Sequence, residues 1–428
     1  MMEFKTICVI GLGYIGLPTA STFASQGVKV IGVDANPKIV ESLQHGHVHI
    51  YEPGLRELAE ESLKSGNLVI RSQPELADAF IIAVPTPFYD DKKADMRFVR
   101  SAAETIAPFI RKGNLVVLES TSPPLTTCDI VAPILESNGL KAGQDFFLTY
   151  SPERVLPGQI LRELLENARV IGGVDRASAE AGRDLYRIFV KGEIILTDST
   201  TAEMVKLMEN TYRDVNIAIA NEFSRLADRF GIDIWEAVRI ANLHPRVKIL
   251  NPGPGVGGHC ISVDPWFLVE AAPDIATLIR TARQINDGQP GYVIRLVKQV
   301  LGEDLHQRRI AVLGLAFKPD VDDLRESPAA DIARHLSGAG AAVRAYEPNK
   351  PDAELEGIPV VATLEKALQD AELVLLLVGH KEFRSLEAGH VAQLTPARYL
   401  VDAVNVLPAE AFKEEGFRMF RLGVGHEL

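Results

Sequence analysis

The stretch GPGVGGHCISVD, residues 253–264, presents one cysteine, Cys260, within a run of small residues. Five of the eight residues from Gly253 to Cys260 are glycine or proline. Because glycine has no side chain, the backbone there can approach a ligand closely. A thiol in such a loop is a candidate nucleophile that forms a covalent adduct with a substrate carbon. Cys8 lies in the apolar run TICVIG and is predicted to be a small buried core residue, whereas Cys128 has no chemical context.

A glycine fingerprint, GLGYIG, follows the strand-like run TICVI and precedes a helical pattern. Gly11 permits a tight turn, Gly13 lets a pyrophosphate approach, and Gly16 allows close packing of helix and strand. Asp34 ends the next strand-like run, where its carboxylate can accept the ribose hydroxyls of NAD. The residues expected to bind the cofactor here are Gly11, Gly13, Tyr14, Ile15, Gly16 and Asp34. A cysteine beside a nicotinamide indicates an oxidation through a sulfur adduct.

Polar residues follow three later strand-like runs. Thr86 in AVPTP and Thr121 in ESTSPP should face the cofactor, because ligands bind beyond the carboxyl ends of strands in open parallel sheets. The alternative is that both threonines cap turns. In TYSPER, Glu153 is a candidate for positioning water or a proton, and Arg154 for contacting an anionic substrate. The alternative for this pair is a surface ion pair.

One long helix is predicted from residue 200 to about residue 230. Apolar residues at steps of three and four form a stripe along it, namely Met208, Tyr212, Val215, Ile219, Phe223 and Leu226. Lys206, Asn210 and Arg213 lie on the opposite side, which is usually the solvated side of such a helix. If that side meets the Cys260 loop, Lys206 stabilises an oxyanion and Arg213 contacts phosphate or sugar.

Further candidates lie on both sides of Cys260 in the chain. His244 and Arg246 in NLHPRVKIL could bind substrate, and Asp264 could activate water for hydrolysis of a sulfur-bound acyl group. In LAFKPDVDDLRESP, which follows a strand-like run, Lys318 and Arg325 are candidates for binding phosphate. The alternative for this segment is an ordinary charged loop.

The 428 residues predict two to three domains. Strand-like and helical runs alternate before and after the long helix, which predicts an α/β protein with two Rossmann-like doubly wound domains flanking a central helical domain. The expected boundaries are 1–196 for NAD binding, 197–300 for the helical domain and 301–428 for the second Rossmann-like domain. A net charge of −12 argues against nucleic-acid binding, and no apolar run spans a bilayer. Three scattered cysteines form no metal-binding pair, and we expect a cytoplasmic protein without a metal.

The ordered motifs GLGYIG, TYSPER, the Lys206–Asn210 pair, GPGVGGHC and GLAFKPDVDDLRESP resemble those of the nucleotide-sugar 6-dehydrogenases over nearly the whole chain. That resemblance implies a two-step, four-electron oxidation of the sugar C6 alcohol to a carboxylate, with two NAD⁺. Cys260 matches the nucleophile, which holds the intermediate first as a thiohemiacetal and then as a thioester. Lys206 and Asn210 match the residues that stabilise oxyanions. Asp264 and Glu153 match the acids associated with water activation and hydrolysis.

The resemblance also implies a substrate-binding set and a homodimer built on the long helix. Arg325 would approach the NAD of a neighbouring subunit, and Phe317 and Lys318 would hold the UDP portion. The full substrate set is Arg154, Val155, Lys206, Asn210, Arg213, His244, Arg246, Gly257, Phe317, Lys318 and, more weakly matched, Arg398.

Within that family, the runs SPERVLPG and GGHCISVDPWFL most resemble those of the enzymes that act on UDP-N-acetyl-D-mannosamine. The resemblance therefore implies this substrate and a role in making polysaccharide precursors. UDP-N-acetylglucosamine and UDP-glucose are the near alternatives. A non-catalytic nucleotide-sugar binding protein and a single-step hydroxyacid dehydrogenase remain as alternatives of other classes. Against the binding protein stands the retention of Cys260, since binding alone requires no thiol.

Overall fold

The computed structural model describes residues 2–156 and 158–428, which form two compact units. The first unit extends to Glu209 and includes Glu270–Pro273. The second comprises Asn210–Val269 and Asp274–Leu428. Each unit contains one sheet. The three domain boundaries expected from the sequence stay a prediction.

The first unit contains an eight-stranded sheet in the order β3-β2-β1-β4-β5-β6-β7-β8. Its strands are β1 (Thr6–Ile10), β2 (Lys29–Val33), β3 (Leu68–Arg71), β4 (Ala79–Ile82), β5 (Leu115–Leu118), β6 (Phe147–Tyr150), β7 (Arg169–Gly173) and β8 (Ile194–Asp198). Neighbouring strands are parallel except β6 and β7. Along β1, Ile7 and Val9 join one core while Cys8 and Ile10 join the other, so both faces are covered. Cys8 is buried as predicted, and burial raises the pKa of its thiol to about 12.

Helices cover this sheet between the strands. They are α1 (Gly16–Ser25), α2 (Pro37–Gln44), α3 (Leu55–Lys64), α4 (Arg97–Ile106), α5 (Ala132–Leu135), α6 (Ile160–Glu166) and α7 (Arg176–Tyr186). The strands β1, β2, β4, β5 and β6 fall within the predicted runs. The sequence analysis missed β3, β7 and β8, since LVIR, RVIGG and IILTD are only four or five residues long and include charged or glycine residues that weaken a strand pattern.

Five helices follow the first sheet in the chain: α8 (Ser199–Phe230), α9 (Ile234–Ala241), α10 (Asp264–Ala271), α11 (Thr277–Asp287) and α12 (Gln289–Leu301). The predicted long helix is therefore confirmed as α8, which has 32 residues.

The prediction that the polar side of α8 faces solvent is wrong for two of its three polar residues. Lys206 and Asn210 are buried, and of the three residues proposed for that side only Arg213 is exposed. In contrast, most of the apolar stripe is exposed, namely Met208, Tyr212, Ile219, Phe223 and Leu226. Hydrogen bonds explain the inversion, since buried polar groups need partners. Asn210 donates to Asp264, and Asn221 to Asn286.

The second unit contains a five-stranded sheet in the order β10-β9-β11-β12-β13, in which neighbouring strands are parallel. Its strands are β9 (Arg309–Leu313), β10 (Ala342–Tyr346), β11 (Leu373–Leu376), β12 (Tyr399–Asp402) and β13 (Arg418–Arg421). Its helices are α13 (Pro328–Gly338), α14 (Leu364–Leu368), α15 (Lys381–Arg384), α16 (Ala388–Leu394) and α17 (Ala409–Glu414). The predicted α/β class, with two such sheets and helices between them in the chain, is confirmed. Among the described residues, no helix is long and apolar enough to cross a membrane.

Candidate active site

The carboxyl edge of the first sheet carries the predicted cofactor residues. The GLGYIG turn joins β1 to α1, Asp34 directly follows β2, and Thr86 and Thr121 follow β4 and β5. These four strands are parallel neighbours, so their carboxyl ends share one edge. The strand order reverses between β1 and β4, and ligands of open α/β sheets bind at that switch point.

The three glycines of the GLGYIG turn are required for different reasons. A Cβ on Gly16 would lie 1.8 Å from the Gly11 carbonyl oxygen, and one on Gly11 would lie 2.6 Å from the Ala83 carbonyl oxygen. Gly11 also has φ +92°, in the left-handed region that favours glycine. A Cβ on Gly13 would meet no atom within 4 Å. The space above Gly13 fits the close approach of a dinucleotide, which NAD requires at this position.

The Asp34 carboxylate is fixed beside this turn by hydrogen bonds from the backbone. Its Oδ2 accepts a hydrogen bond from the Leu12 amide at 2.9 Å, and its Oδ1 accepts one from the Asn36 amide at 2.8 Å. Each carboxylate oxygen retains acceptor capacity, and the side chain is partly exposed. Asp34 can therefore accept ribose hydroxyls while its orientation stays fixed by the backbone.

Glu153 follows β6 at the same edge of the sheet and belongs to a buried charge cluster. Arg169 on β7 forms an ion pair with Glu153 at 3.0 Å and one with Glu119 at 2.8 Å. The Ser151 hydroxyl accepts from Arg169 Nε, and the Tyr186 hydroxyl donates to Glu119 Oε1. The sequence analysis missed Glu119 and Arg169, because a buried arginine has the same sequence pattern as a surface one. Two carboxylates thus share one guanidinium without contact to bulk water.

The charges in this cluster do not balance if both carboxylates are ionised. Burial, and to a smaller extent the charge of Glu153, raises the pKa of Glu119 to about 7 even though Arg169 acts in the opposite direction. Glu119 Oε2 has no hydrogen-bond partner among the described residues. A protonated Glu119 leaves the single charge of Arg169 to balance Glu153.

Arg154, Val155 and Lys206 lie elsewhere in the first unit. The Arg154 guanidinium pairs with Glu209 at 2.8 Å and donates to the Ala168 carbonyl, so a substrate would have to share it. Arg154 therefore forms no ion pair with Glu153, although the alternative interpretation expected one at the surface. Val155 packs partly buried against the core. Lys206 is 9% exposed, and no ion pair to it is found in the part of the chain that the structure describes.

Cys260 and Asp264 lie one helical turn apart in the second unit. The Cys260 carbonyl accepts hydrogen bonds from the Val263 amide at 3.0 Å and from the Asp264 amide at 2.8 Å. Asn210 Nδ2 donates to Asp264 Oδ2 at 2.5 Å, and both side chains are buried. Hydrogen bonds thus link three predicted catalytic residues in one cluster. Cys260 takes part through its backbone carbonyl, and Asp264 and Asn210 are joined by their side chains.

The glycines before Cys260 are also required by the packing of the chain itself. A Cβ on Gly257 would lie 2.4 Å from the Glu326 carbonyl oxygen and 2.9 Å from Phe317 Cβ. A Cβ on Gly258 would lie 2.8 Å from the Phe317 ring. The loop after β9, residues 317–326, therefore packs directly on the Cys260 loop. Phe317 reaches the site through this contact.

A chain of buried amides and charges anchors the start of the Cys260 loop. The Gly253 amide donates to Asn221 Oδ1 at 3.0 Å, and Asn221 donates to Asn286 at 2.9 Å. Asn286 in turn donates to Asp214 Oδ1, which also accepts from Arg283. The sequence analysis did not identify these residues, since they lie on three separate elements.

Lys318 and Arg325 lie on the loop after β9, as predicted. Arg325 donates through Nε and Nη2 to the two carboxylate oxygens of Asp323. The structure also holds this loop in place at its backbone, where the Gly258 amide donates to the Arg325 carbonyl at 3.1 Å. Both cations are therefore attached to the Cys260 loop through the same segment.

Four predicted substrate residues are not brought to the Cys260 cluster by any hydrogen bond or ion pair within the described residues. His244 and Arg246 lie on an exposed turn after α9, and Arg213 is exposed on α8. Arg398 lies at the amino end of β12, away from the edge that carries Phe317, and donates to the carbonyls of Thr395 and Ala397. Their roles stay a prediction.

The second sheet repeats the arrangement of a glycine turn and an acidic residue seen at the carboxyl edge of the first sheet, but here the acidic residue has more partners within the protein. Gly314 has φ +89° after β9, and Glu347 after β10 accepts from the Leu315 and Ala316 amides. His380 lies 3.1 Å from the same Glu347 oxygen, and the Asn349 amide donates to the other. Glu347 is fully buried, in contrast to Asp34.

With this geometry in place, comparison with known proteins identifies the family. The UDP-glucose/GDP-mannose dehydrogenase family matches in three stretches: its NAD binding domain over residues 5–190, its central domain over 200–288 and its UDP binding domain over 311–409. The chain belongs to this family. It is thus a dehydrogenase whose cofactor is NAD, and the glycine turn and Asp34 fit that cofactor.

Full-length relatives carry more specific names. The chain is 46% identical over 427 residues to a UDP-N-acetyl-D-mannosamine dehydrogenase of Methanocaldococcus jannaschii, covering 98% of this chain and 97% of the relative. The solved UDP-N-acetyl-mannosamine dehydrogenase of Staphylococcus aureus is 45% identical with a TM-score of 0.88 and 98% coverage of each chain. An NDP-N-acetyl-D-galactosaminuronic acid dehydrogenase of Ralstonia solanacearum is 48% identical over 396 residues, covering 90% of this chain and 93% of the relative.

The different requirements for Gly13 and Gly16 give a paired prediction. Gly13→Ala should fold with a free energy of unfolding within about 1 kcal/mol of wild type, but should weaken NADH binding at least about tenfold, because the methyl enters the cofactor's space. Gly16→Ala should lose several kcal/mol of stability, because its Cβ overlaps the Gly11 carbonyl. Urea denaturation and NADH fluorescence titration measure both. Wild-type NADH affinity in Gly13→Ala would contradict the assignment.

The buried cluster predicts a pH-dependent stability. The pKa of Glu119 is raised in the folded state to about 7, so the folded state binds the extra proton. Its stability contribution is present below the unfolded pKa near 4.5 and declines as pH rises through 7. Relative to Glu119→Gln, which carries no charge, wild type should lose about 3 kcal/mol between pH 5 and 8.

Urea denaturation at pH 5, 6, 7 and 8 measures this difference. Glu57→Gln on the exposed surface of α3 is the matched control and should track wild type at every pH. A constant difference between wild type and Glu119→Gln across the range would show that Glu119 is ionised throughout.

Proposed function

We propose that the protein oxidises the C6 alcohol of UDP-N-acetyl-D-mannosamine to the carboxylate of UDP-N-acetyl-D-mannosaminuronate. The observation that carries this proposal is the cluster of Cys260, Asp264 and Asn210 in a protein whose other unit carries an NAD turn. A thiol whose backbone is bonded to that of Asp264, with the Asp264 carboxylate bonded to Asn210, fits acyl chemistry, which a simple alcohol dehydrogenase does not need.

The reaction proceeds in two oxidations at one carbon. NAD⁺, when bound, accepts one hydride in each of them. After the first, Cys260 Sγ adds to the C6 aldehyde carbon to form a thiohemiacetal, which prevents release of the aldehyde. After the second, C6 is a thioester on Cys260. Water then attacks C6 and the C–S bond breaks, which returns the thiol and releases the carboxylate.

The remaining catalytic residues act on charge and protons. The Asn210 amide fixes the Asp264 carboxylate, which can accept a proton from the attacking water. Glu153, oriented by Arg169, can hold a second water or proton. The ammonium of Lys206 stabilises negative charge on the C6 oxygen, which develops in both the adduct and the hydrolysis step.

Residues on the loop after β9 bind the UDP portion of the substrate. Phe317 and Lys318 lie on the segment that packs against Gly257 and Gly258, so contact with the nucleotide is coupled to the position of Cys260. Arg154, Val155, Arg213, His244, Arg246 and Arg398 complete the proposed substrate set. The domain boundaries 1–196, 197–300 and 301–428 belong to the same proposal.

The choice of sugar rests on the relatives and on the run GGHCIS. Full-length relatives from an archaeon and a bacterium are named for N-acetyl-D-mannosamine, whereas the Ralstonia solanacearum relative is named for a galactosaminuronic acid. N-acetylhexosamines are therefore favoured over glucose.

A homodimer is proposed through the exposed apolar stripe of α8. Tyr212 is 71% exposed, and Ile219, Phe223 and Leu226 continue the same side of the helix. A second copy of α8 would bury such a stripe, and large exposed apolar patches on soluble proteins commonly mark interfaces. Arg325 would then approach the NAD of the neighbouring subunit.

The catalytic proposal predicts two NADH for each uronate. Initial rates of NADH release with the UDP derivatives of N-acetylmannosamine, N-acetylglucosamine, N-acetylgalactosamine and glucose should give the highest kcat/KM for N-acetylmannosamine. Preference for UDP-glucose would overturn the choice of sugar, and one NADH per product would overturn the two-step reaction.

The matched variant in this assay is Cys260→Ala, with Cys128→Ala as its control. Cys260→Ala should still bind UDP-sugar but lose uronate formation by several orders of magnitude. Cys128→Ala should retain wild-type rates. Normal uronate yield without Cys260 would exclude the covalent mechanism.

The interface proposal predicts a dimer in sedimentation equilibrium, with twice the 46.8 kDa chain mass. Tyr212→Glu should weaken association by about 2 kcal/mol or more, since a charge at the centre of an apolar interface is left without a partner. Glu57→Gln, exposed on α3 and therefore outside the stripe, should remain dimeric. A monomeric wild type would contradict the proposal.

A further inference from the structure

His259 directly precedes the proposed nucleophile and contacts its sulfur. The distance from His259 Nδ1 to Cys260 Sγ is 2.8 Å, within hydrogen-bonding range. The imidazole is exposed while the thiol is half-buried. Neighbouring side chains in an extended segment normally point in opposite directions, so this contact needs an unusual backbone, and the structure shows what imposes it.

The backbone on both sides of the pair is fixed. Gly258 has φ +84°, and its amide donates to the Arg325 carbonyl at 3.1 Å. Its carbonyl accepts from the Ser262 hydroxyl. After Cys260 the chain turns at once into α10, with two amides donating to the Cys260 carbonyl. The contact between the imidazole and the thiol is therefore set by the fold of the loop.

The loop after β9 places charged groups near the imidazole of His259. Asp323 lies on the loop after β9, and Arg325 lies beside it. Burial raises the pKa of Asp323, but hydrogen bonds from Arg325, and the nearby charges of Arg325 and His259, outweigh it and hold that pKa below its usual range. Asp264 begins α10 four residues after Cys260, and its carboxylate accepts a hydrogen bond from Asn210. An imidazolium at position 259 thus has a carboxylate near it.

We propose that His259 is a further catalytic residue, which takes the proton of the Cys260 thiol and stabilises the resulting thiolate. This inference rests on the proposed function, because it requires Cys260 as nucleophile. The S–H bond breaks, the Nδ1–H bond forms, and the sulfur lone pair attacks the C6 carbonyl carbon. When the thioester is hydrolysed the thiolate is regenerated beside the same imidazolium, so no other reactant is needed.

The need for such a partner follows from ordinary thiol chemistry. A free cysteine with a pKa of about 8.5 is only a few per cent thiolate at pH 7, and the thiolate is the nucleophile. A neighbouring imidazolium increases that fraction, as in other cysteine–histidine pairs. In the proposed mechanism Lys206 acts on the C6 oxygen of the substrate and Asn210 fixes Asp264, so neither residue deprotonates the thiol.

The test is the pH dependence of Cys260 alkylation by iodoacetamide, followed by mass spectrometry of the Cys260 peptide. In wild type the rate should rise with a midpoint below about 8, and in His259→Ala it should shift upward by at least about one pH unit. His259→Asn keeps an amide at the position but cannot accept a proton, so it should behave like His259→Ala. His45→Asn, at the exposed end of α2, is the control, and the Cys128 peptide is the internal reference.

Activity gives a second, independent measurement. At pH 7 the kcat of both His259 variants should fall roughly 10- to 100-fold, and most of the loss should be recovered near pH 9, where the thiol ionises without help. Wild-type KM for UDP-sugar would show that substrate binding is intact.

The outcomes separate the two proposals. An unchanged alkylation midpoint in both variants, or a wild-type midpoint at 8.5 or above, overturns the role of His259 and leaves the covalent mechanism standing. Uronate formation by Cys260→Ala overturns the covalent mechanism itself, whatever the alkylation profile shows.

Discussion

The close contact between the Cys260 loop and the loop after β9 is the constraint on which the geometry around Cys260 depends. Gly257 and Gly258 leave no room for a Cβ because the Glu326 carbonyl and the Phe317 ring occupy that space. The same contact fixes the backbone that brings the His259 imidazole to the Cys260 sulfur. It also involves the segment with Phe317 and Lys318, which are proposed to bind the UDP portion. Under the proposed function, a substitution at Phe317 would therefore affect both the binding of the nucleotide and the position of Cys260.

Buried polar groups are the second feature that shapes the molecule. Asn210, Asp214 and Asn221 lie along the buried side of α8, and each has a hydrogen-bond partner from α10, α11 or the Cys260 loop. Because a buried polar group without its partner is costly, these pairings hold neighbouring elements in one register. Arg169 does the same in the first unit for Glu119 and Glu153.

The parts that the sequence predicted well are those set by local backbone requirements. The GLGYIG turn, Asp34 and the long helix depend on residues close together in the chain, so their pattern is complete in the sequence. The direction of burial on α8 was predicted wrongly, because an apolar stripe can face a core or a second chain with the same spacing. Arg169 and Glu119 were missed for a related reason: they come from separate strands, and only the folded sheet brings their charges together.

Glu347 in the second sheet corresponds in position to Asp34 in the first, but it has different hydrogen-bond partners. Both sheets end their second strand, β2 or β10, in an acidic residue that accepts from backbone amides of the glycine turn. In the first, Asp34 keeps acceptor capacity for a ribose. In the second, backbone amides and the His380 imidazole are the hydrogen-bond partners of the Glu347 carboxylate. The second sheet thus repeats the acidic residue of the first, but the protein's own amides and imidazole occupy the acceptor positions that Asp34 retains for a ribose.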